Sequence, residues 1–321
     1  MKPVLAVSMG DPAGIGPEVL LSAAARPGVA RACSLVVYGD TAVLAEARRA
    51  LGMSASAATA ITRVEEVTAL RLRGQLPRPS VRTGEAAFCY LDAAARAVQL
   101  GQHDALVTAP INKQWLNRAG HRYDGHTGYL SQLAGKPATM MLVGRRLRVV
   151  LATTHVALCE VPGALDEGAL VDKALTSSEH LRRFHGLDRP RMAVAALNPH
   201  GGEGGLFGDE ENRVIAPAVR RMRRRGVDAI GPLPADTLFA QAAKGNYDVV
   251  LCMYHDQALI PLKLLDFGGA VNISMGLPFL RTSPDHGTAY DLAGSGEADA
   301  GSMAGAMLMA ARMLKSARRK G

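Results

Sequence analysis

The chain has 321 residues, 48% of them hydrophobic, 21% charged and 4% aromatic, with a formal net charge of +8. At roughly 100–200 residues per domain the length predicts two lobes, and the composition excludes a disordered chain. The positive charge collects in local runs such as RRMRRRG, Arg220–Gly226, which read as solvated faces. So few aromatic rings offer no platform for single-stranded nucleic acid, and a positive surface favours small anionic metabolites instead.

In chain order, VLAVSMG reads as a first buried strand, too short and without a cleavage site to be a secretion signal. MGDPAGIGPE, Met9–Glu18, then opens a helix with Pro17 at the first helical position. The turn matches neither GxGxxG nor the P-loop. It reads equally well as a structural strand-to-helix turn, and no dinucleotide is assigned to it. SLVVYGD is a second strand. GEAAFCYLDAAARAVQLG is a helix whose Ala87, Leu91, Ala94 and Val98 share one face. DALVTAP, ATMMLVG, LRVVLATTH, RMAVAALN, DVVLCMYH and AVNISMG are further strands, with helices starting at the N-caps Asp166 and Asn212. A closing helix carries the apolar stripe Met303, Met307, Ala311 and Leu314.

Continuous apolar strands alternating with helices predict an α/β fold with a largely parallel sheet covered on both faces. Polar punctuation at Asp124–Thr127 and Thr282–Gly287 predicts one lobe inserted into the other: 1–125 plus 285–321, and 126–284. Cys33, Cys89, Cys159 and Cys252 have no CxxC spacing and are expected to be reduced core thiols of a cytoplasmic protein. No stretch of about 18 uninterrupted apolar residues exists, so no membrane span is expected.

Three histidines share a setting. His155, His200 and His255 each close a buried strand, at the carboxyl ends where open parallel sheets bind ligands. Together they suit a divalent metal with open positions for substrate; taken singly, each reads first as a core histidine bonded to a carbonyl. The glycines after His200 would admit a substrate or second subunit. Asp256 and Asp236 are the carboxylates available as metal-ligand support or proton acceptor. His103, His121, His180 and His185 receive no role. DGHTGYL places His126 and Thr127 in a turn that can hold an anion, and Lys263, Asn272 and Arg281 add two cations and an amide. For Lys263 and Arg281 a surface ion pair is the structural alternative.

MGDPAGIGPE, GHT, TTHVAL, NPHGGEGGLFGDEE, ADTLF, YDVVLCMYHDQALIPLK and VNISMGLPFLRTSPDHGTAYDLAG, in this order from Met9 to about Gly296, resemble the 4-hydroxythreonine-4-phosphate dehydrogenase family of vitamin B6 biosynthesis. The resemblance implies two α/β/α lobes with a central cleft, as in isocitrate and isopropylmalate dehydrogenases, and an obligate homodimer that shares each metal site across its interface. It implies His155, His200 and His255 as metal ligands, for zinc, magnesium, cobalt, manganese or nickel. It implies His126, Thr127, Lys263, Asn272 and Arg281 as substrate-binding residues. DHGTAYDLAG is similar to the loop that holds the adenosine of NAD in the wider fold, which implies His286, Gly287, Thr288 and Asp291 as cofactor-binding residues. NAD is favoured over NADP because no basic cluster adjoins that loop.

The implied reaction is oxidation of the C3 hydroxyl of 4-phosphooxy-L-threonine, then decarboxylation to 3-amino-2-oxopropyl phosphate, with Asp236, Asp256 and Lys263 as candidate catalytic residues. Sister enzymes acting on threonate or erythronate 4-phosphate, and a noncatalytic metabolite-binding homologue, are the alternatives. Gly128 departs from the family pattern, where a larger and often acidic residue is expected.

Overall fold

The computed structural model describes residues 2–54, 56–70 and 76–319, so the expected lobe ends at 1 and 321 lie outside the described residues. Eleven strands alternate with helices: β1 Val4–Ser8, β2 Ser34–Gly39, β3 Ile61–Glu66, β4 Ala105–Thr108, β5 Thr139–Val143, β6 Arg148–Leu151, β7 Arg191–Ala195, β8 Asp228–Leu233, β9 Val249–Cys252, β10 Val271–Met275 and β11 Arg281–Pro284. The chain divides into two compact units, one of Met1–Ala138 with Val271–Lys315 and one of Thr139–Ala270 with Ser316–Gly321. The divisions thus fall at 138/139 and 270/271, where polar punctuation placed them at 125/126 and 284/285. The helix His126–Ala134 packs its Tyr129 and Leu130 into the first unit's core, and β11 pairs with β4 of the same unit. His126, Thr127, Asn272 and Arg281 therefore belong to the first unit.

Within the first unit the strand order is β3-β2-β1-β4-β11-β10, parallel except for the antiparallel β10–β11 pair. The helix Val81–Gln99 starts at a capping box in which Ser80 accepts from the Thr83 amide and Thr83 accepts from the Ser80 amide, satisfying two otherwise orphaned donors. Its Leu91, Ala94 and Val98 pack with Ala6, Val36 and Leu106 of the sheet. In the second unit the order is β5-β6-β9-β7-β8, parallel except for the β5–β6 hairpin. Leu142, Val149, Leu151, Val250, Ala258 and Leu262 form its core.

Three strands escape the hydrophobic pattern, each for its own reason. β3 is an edge strand of sequence ITRVEE and β8 is the opposite kind of edge, interrupted by Gly231-Pro232, and proline is tolerated at such an edge. β11 is only RTSP, yet all four residues are buried. Asn212 is not an N-cap: it lies in the π-helical turn Glu211–Ile215 that runs into the helix Ala216–Arg224. That helix buries Ala218, Val219 and Met222, and its arginines are exposed. Pro17 is the second residue of the helix Gly16–Ala24. Met303, Met307 and Ala311 are buried in the helix Gly301–Arg318, while Leu314 is half-buried. All four cysteines are free, but Cys159 is exposed and Cys89 half-buried, so only Cys33 and Cys252 are core thiols. Among the described residues no helix is long and apolar enough to cross a membrane.

His180, in the helix Glu167–Phe184, is buried. Its pKa is pushed down to about 3 by burial first, then by His185 and Arg183. Below its unfolded value near 6.5 the unfolded chain binds a proton that the native chain refuses, so stability falls as the pH falls through that window. Denaturant titrations at pH 8 and pH 5 should show about 2 kcal/mol of this loss from His180 alone. His180→Gln should remove that component of the slope; an unchanged slope would show that the native imidazole is protonated.

Candidate functional site

The first unit contains a buried cation that has no counter-ion among the described residues. Arg281 opens β11 and sits opposite Ser274 of β10 in register. Its side chain is 2% exposed. Nη1 donates to Ser274 Oγ at 2.9 Å and Nη2 to Thr108 Oγ1, at the carboxyl end of β4, at 2.7 Å. Nε is buried without a partner. Burial pushes its pKa down to about 9. The alternative of a surface ion pair for Arg281 is thus absent among the described residues. A buried guanidinium held by two neutral hydroxyls favours an incoming anion, since burying an unpaired charge is costly.

His126 adjoins this charge. The helix His126–Ala134 begins after Gly125, at φ 127°, with no side-chain cap, which leaves first-turn amides available to an anion. The His126 pKa lies well below the usual imidazole value, chiefly through burial, next through the repulsion of Arg281, with a hydrogen bond to the Ala109 backbone opposing. The ring is therefore neutral, and its Nε2 is buried without a partner. Thr127, half-buried, follows it in the same turn. Asn272 on β10 likewise leaves Oδ1 buried and unpaired. Lys113, which the sequence reading passed over, also acts on His126, and its Cε would lie 3.3 Å from a Cβ at Gly125.

The Met9–Glu18 turn proves to be a seat for the 285–294 loop. Tyr290 donates to Asp11 at 2.6 Å, the Ile15 amide to the Thr288 carbonyl at 2.9 Å, and the Gly294 amide to Glu18. Gly14 has no room for a side chain: a Cβ there would stand 2.7 Å from the Thr288 carbonyl oxygen. Of the cofactor candidates, Thr288 is buried in this seat while Gly287 and Asp291 are exposed. His286 bonds through Nδ1 to the Gly287 carbonyl at 3.1 Å and keeps a buried, unpartnered Nε2.

The second unit carries the three strand-end histidines. His155 follows β6, and His255 opens the helix His255–Leu265 after β9. β6 and β9 are parallel neighbours, so the two rings meet, with centroids 5.9 Å apart and an interplanar angle of 37°. Asp256 Oδ1 lies 2.7 Å from His255 Nδ1. A carboxylate there orients the ring and leaves Nε2 as the free lone pair, the arrangement that suits a metal-binding imidazole.

His200 does not complete a triad inside one chain: among the described residues no three His, Cys, Asp or Glu side chains stand close enough to hold a metal. It lies in the turn Pro199–Gly205, where His200 through Gly204 all have φ between 44° and 78°. The glycines serve this left-handed path, which costs a side-chain-bearing residue about 1–2 kcal/mol, and His200 and Glu203 adopt it nonetheless. Buried Glu211 fixes the turn by accepting the Leu197 and Asn198 amides at 2.8 and 2.7 Å and Asn198 Nδ2 at 2.9 Å. Asp236 is exposed in the first turn of the helix Ala235–Ala243, and Lys263 is half-buried in the helix that His255 opens.

Residues 31–310 match the family of the pyridoxal phosphate biosynthetic protein PdxA. The 4-hydroxythreonine-4-phosphate dehydrogenase of Geobacter metallireducens is 48% identical over 98% of this chain and 96% of its own. The chain belongs to the PdxA family. The crystal structure of the 4-hydroxythreonine-4-phosphate dehydrogenase of Klebsiella pneumoniae is similar with a TM-score of 0.84 at 40% identity over 98% of each chain. Isocitrate dehydrogenase of Methylococcus capsulatus, at 14% identity and a TM-score of 0.51 over 99% of this chain and 88% of its own, shares the fold.

Against the family pattern, Gly128 now has a local explanation. Asp124 Oδ1 occupies the space in which a Cβ at 128 would sit, so an acidic group from the loop stands there, and the exposed Asp124 side chain would have to swing aside to admit a side chain at 128. Thr108, Ser274, Lys113 and Glu211 are the residues that sequence reasoning missed. Only Glu211 carried a signal, as part of the quoted GDEE run.

Arg281→Met tests the anion socket. Breaking a buried ion pair usually costs about 3–5 kcal/mol; with no partner to strand, Arg281→Met should lose far less in phosphate-free denaturant titrations. Its affinity for inorganic phosphate, followed by calorimetry, should nonetheless fall at least about tenfold. A large stability loss with unchanged phosphate affinity would make Arg281 a structural cation.

Proposed function

We propose that this member of the PdxA family is a dehydrogenase of pyridoxal 5'-phosphate biosynthesis. It oxidises 4-phosphooxy-L-threonine with NAD to 2-amino-3-oxo-4-phosphooxybutanoate, which loses carbon dioxide to give 3-amino-2-oxopropyl phosphate. The observation that carries this reading is the Arg281 guanidinium, held only by hydroxyls among the described residues, near the orphaned His126 Nε2, with Asn272 Oδ1 also unpaired on the adjacent strand β10. The named activity of the 48% identical relative supplies the substrate.

On this reading Arg281, with the amides and hydroxyl at His126–Thr127, binds an anionic group of the substrate, and Asn272 orients it. Neutral His126 donates or accepts without adding charge. Lys263 attracts a second anionic group, and Asp236 or Asp256 takes the proton from the C3 hydroxyl as the hydride departs. The His286–Asp291 segment, held on its seat by Tyr290, binds the adenosine end of NAD, whose nicotinamide accepts the hydride. His155, His255 and His200 are proposed as ligands of a divalent cation, and the ring of His255 is already oriented by Asp256. Such a cation, when bound, supplies Lewis acidity that eases deprotonation of a hydroxyl and decarboxylation beside a ketone; zinc, magnesium, cobalt, manganese and nickel all accept this donor set or part of it.

A second copy of the chain is proposed to bring the missing imidazole. Leu158, Leu206, Phe207, Ile260, Leu264 and Phe267 are exposed large apolar residues, and all lie on the segments that carry His155, His200 and His255. Such surface favours burial against a partner.

One observation keeps a second reading in view. The terephthalate 1,2-cis-dihydrodiol dehydrogenase of Burkholderia xenovorans is similar at 30% identity and a TM-score of 0.68, over 97% of this chain and 98% of its own. Comparable chains therefore oxidise different alcohols, and a threonate or erythronate 4-phosphate remains the alternative substrate.

Chelator-treated protein should reduce NAD with 4-phosphooxy-L-threonine only after a divalent metal is restored, and faster than with D-threonate 4-phosphate. Preference for the threonate would move the assignment to the sister reaction; no turnover with either would overturn the enzymatic reading. His200→Ala should lose both turnover and stoichiometric bound metal. Leu264→Asp, which leaves the histidines intact, should sediment as a monomer and lose metal with it.

A further inference from the structure

The amino ends of β6 and β9, opposite to the strand ends that lead to His155 and His255, border a cavity of about 120 Å³. Arg145, Arg146, Arg148, Tyr247 and Asp248 are among its lining residues. Arg148 donates Nη1 to the Asp248 carbonyl at 3.1 Å, but its Nε is buried without a partner. Burial holds its pKa below the ordinary guanidinium range, with Asp248 opposing.

The nearby carboxylates are already engaged. Asp248 accepts the Arg191 amide at 2.8 Å and Arg191 Nε and Nη2 each at 3.1 Å. Asp266 accepts the Arg145 amide at 2.8 Å and has Arg145 Nε at 3.6 Å. Among the described residues Arg145, Arg146, Arg148 and Arg191 thus share two carboxylates, and Arg146 has only a long bond, 3.4 Å, to the Ala243 carbonyl. A desolvated, partly unbonded guanidinium beside a second arginine is suited to forked recognition of an oxyanion. A cavity of this size has room for several waters, and so for one tetrahedral oxyanion.

We propose that this cavity is a second anion site, which binds a tetrahedral oxyanion, free phosphate or the phosphate of a small ester, through Arg148 and Arg146. It uses none of the residues of the Arg281 socket and does not depend on the proposed reaction.

The full chain in phosphate-free buffer would be titrated calorimetrically with inorganic phosphate and with glycerol 3-phosphate, and crystals grown with selenate would be examined for anomalous peaks. Two classes of phosphate binding are expected, with a selenate peak in the Arg148 cavity. Arg148→Gln should abolish that peak and weaken one class at least about tenfold, leaving the other unchanged. If Arg148→Gln fails to fold by circular dichroism, exposed Arg146→Gln should weaken the same class by roughly threefold. Tighter binding of the ester would identify a phosphate ester as the natural occupant, and equal or weaker binding would identify the free ion. A single class lost in Arg281→Met, or a cavity holding only water in selenate, would overturn the proposal.

Discussion

Much of the first unit's site depends on leaving one charge unneutralised. Arg281 is among the largest fully buried side chains of the protein, and only the dipoles of Ser274 and Thr108 hold it. Its position is set by backbone rather than by charge: β11 is sandwiched between β10 and β4, and each neighbour supplies one of the two hydroxyls. The guanidinium is therefore oriented before any ligand arrives. Preorganisation of this kind would lower the ordering cost of binding an anion and would aim a fixed charge at it in a medium that screens it poorly. The depressed basicity of His126 comes chiefly from its burial, and the repulsion of a second positive charge by Arg281 adds to it.

In each unit, irregular loops are held by buried carboxylates. Asp11 and Glu18 seat the 285–294 loop, and Glu211 closes the left-handed turn that carries His200. Glu18 and Glu211 do so by accepting backbone amides that no sheet or helix would satisfy, and Asp11 by accepting the Tyr290 hydroxyl. The carboxylates thus allow irregular backbone at the ends of buried strands, where helices and strands alone cannot present side chains at the needed angles. Asp11 registers the cost, since burial raises its pKa and the bonds from Tyr290, Ala13 and Thr83 only partly oppose that.

Legibility from sequence followed the physics of each element. Strands buried on both faces, such as VLAVS and VVLC, announce themselves as continuous apolar runs. RTSP could not, because its polar residues are buried by the strands on either side of it. The strand-end histidines were visible because apolar runs terminate in them. That His155 and His255 adjoin requires knowing that β6 and β9 are neighbours, which no local pattern encodes. Arg281 was selected as an anion-binding candidate, but its lack of a counter-ion depends on what surrounds it in space. Thr108 and Ser274 are ordinary hydroxyl residues in strands and become informative only through the register of β4, β10 and β11. The unit boundaries were misplaced for a related reason: glycines and polar residues at 124–127 mark a helix start within a domain as readily as a passage between domains.

The histidines show how far one chain goes by itself. His155 and His255 are brought together by parallel pairing of neighbouring strands, the cheapest device an α/β fold has for converging side chains. His200 follows β7, which also pairs with β9, yet the left-handed turn carries it away from the pair. A turn held by buried Glu211 is too well determined for this to be slack in the loop. If His200 serves the same cation as the pair, its ring must meet a pair from a second copy, and the apolar residues exposed on the same segments then have a purpose. Association would be part of the site itself, with cation affinity linked to protein concentration. The alternative, a turn that unwinds to bring His200 back within one chain, would have to break three hydrogen bonds to Glu211, an expense of several kcal/mol that a cation held by only two other imidazoles would have to repay.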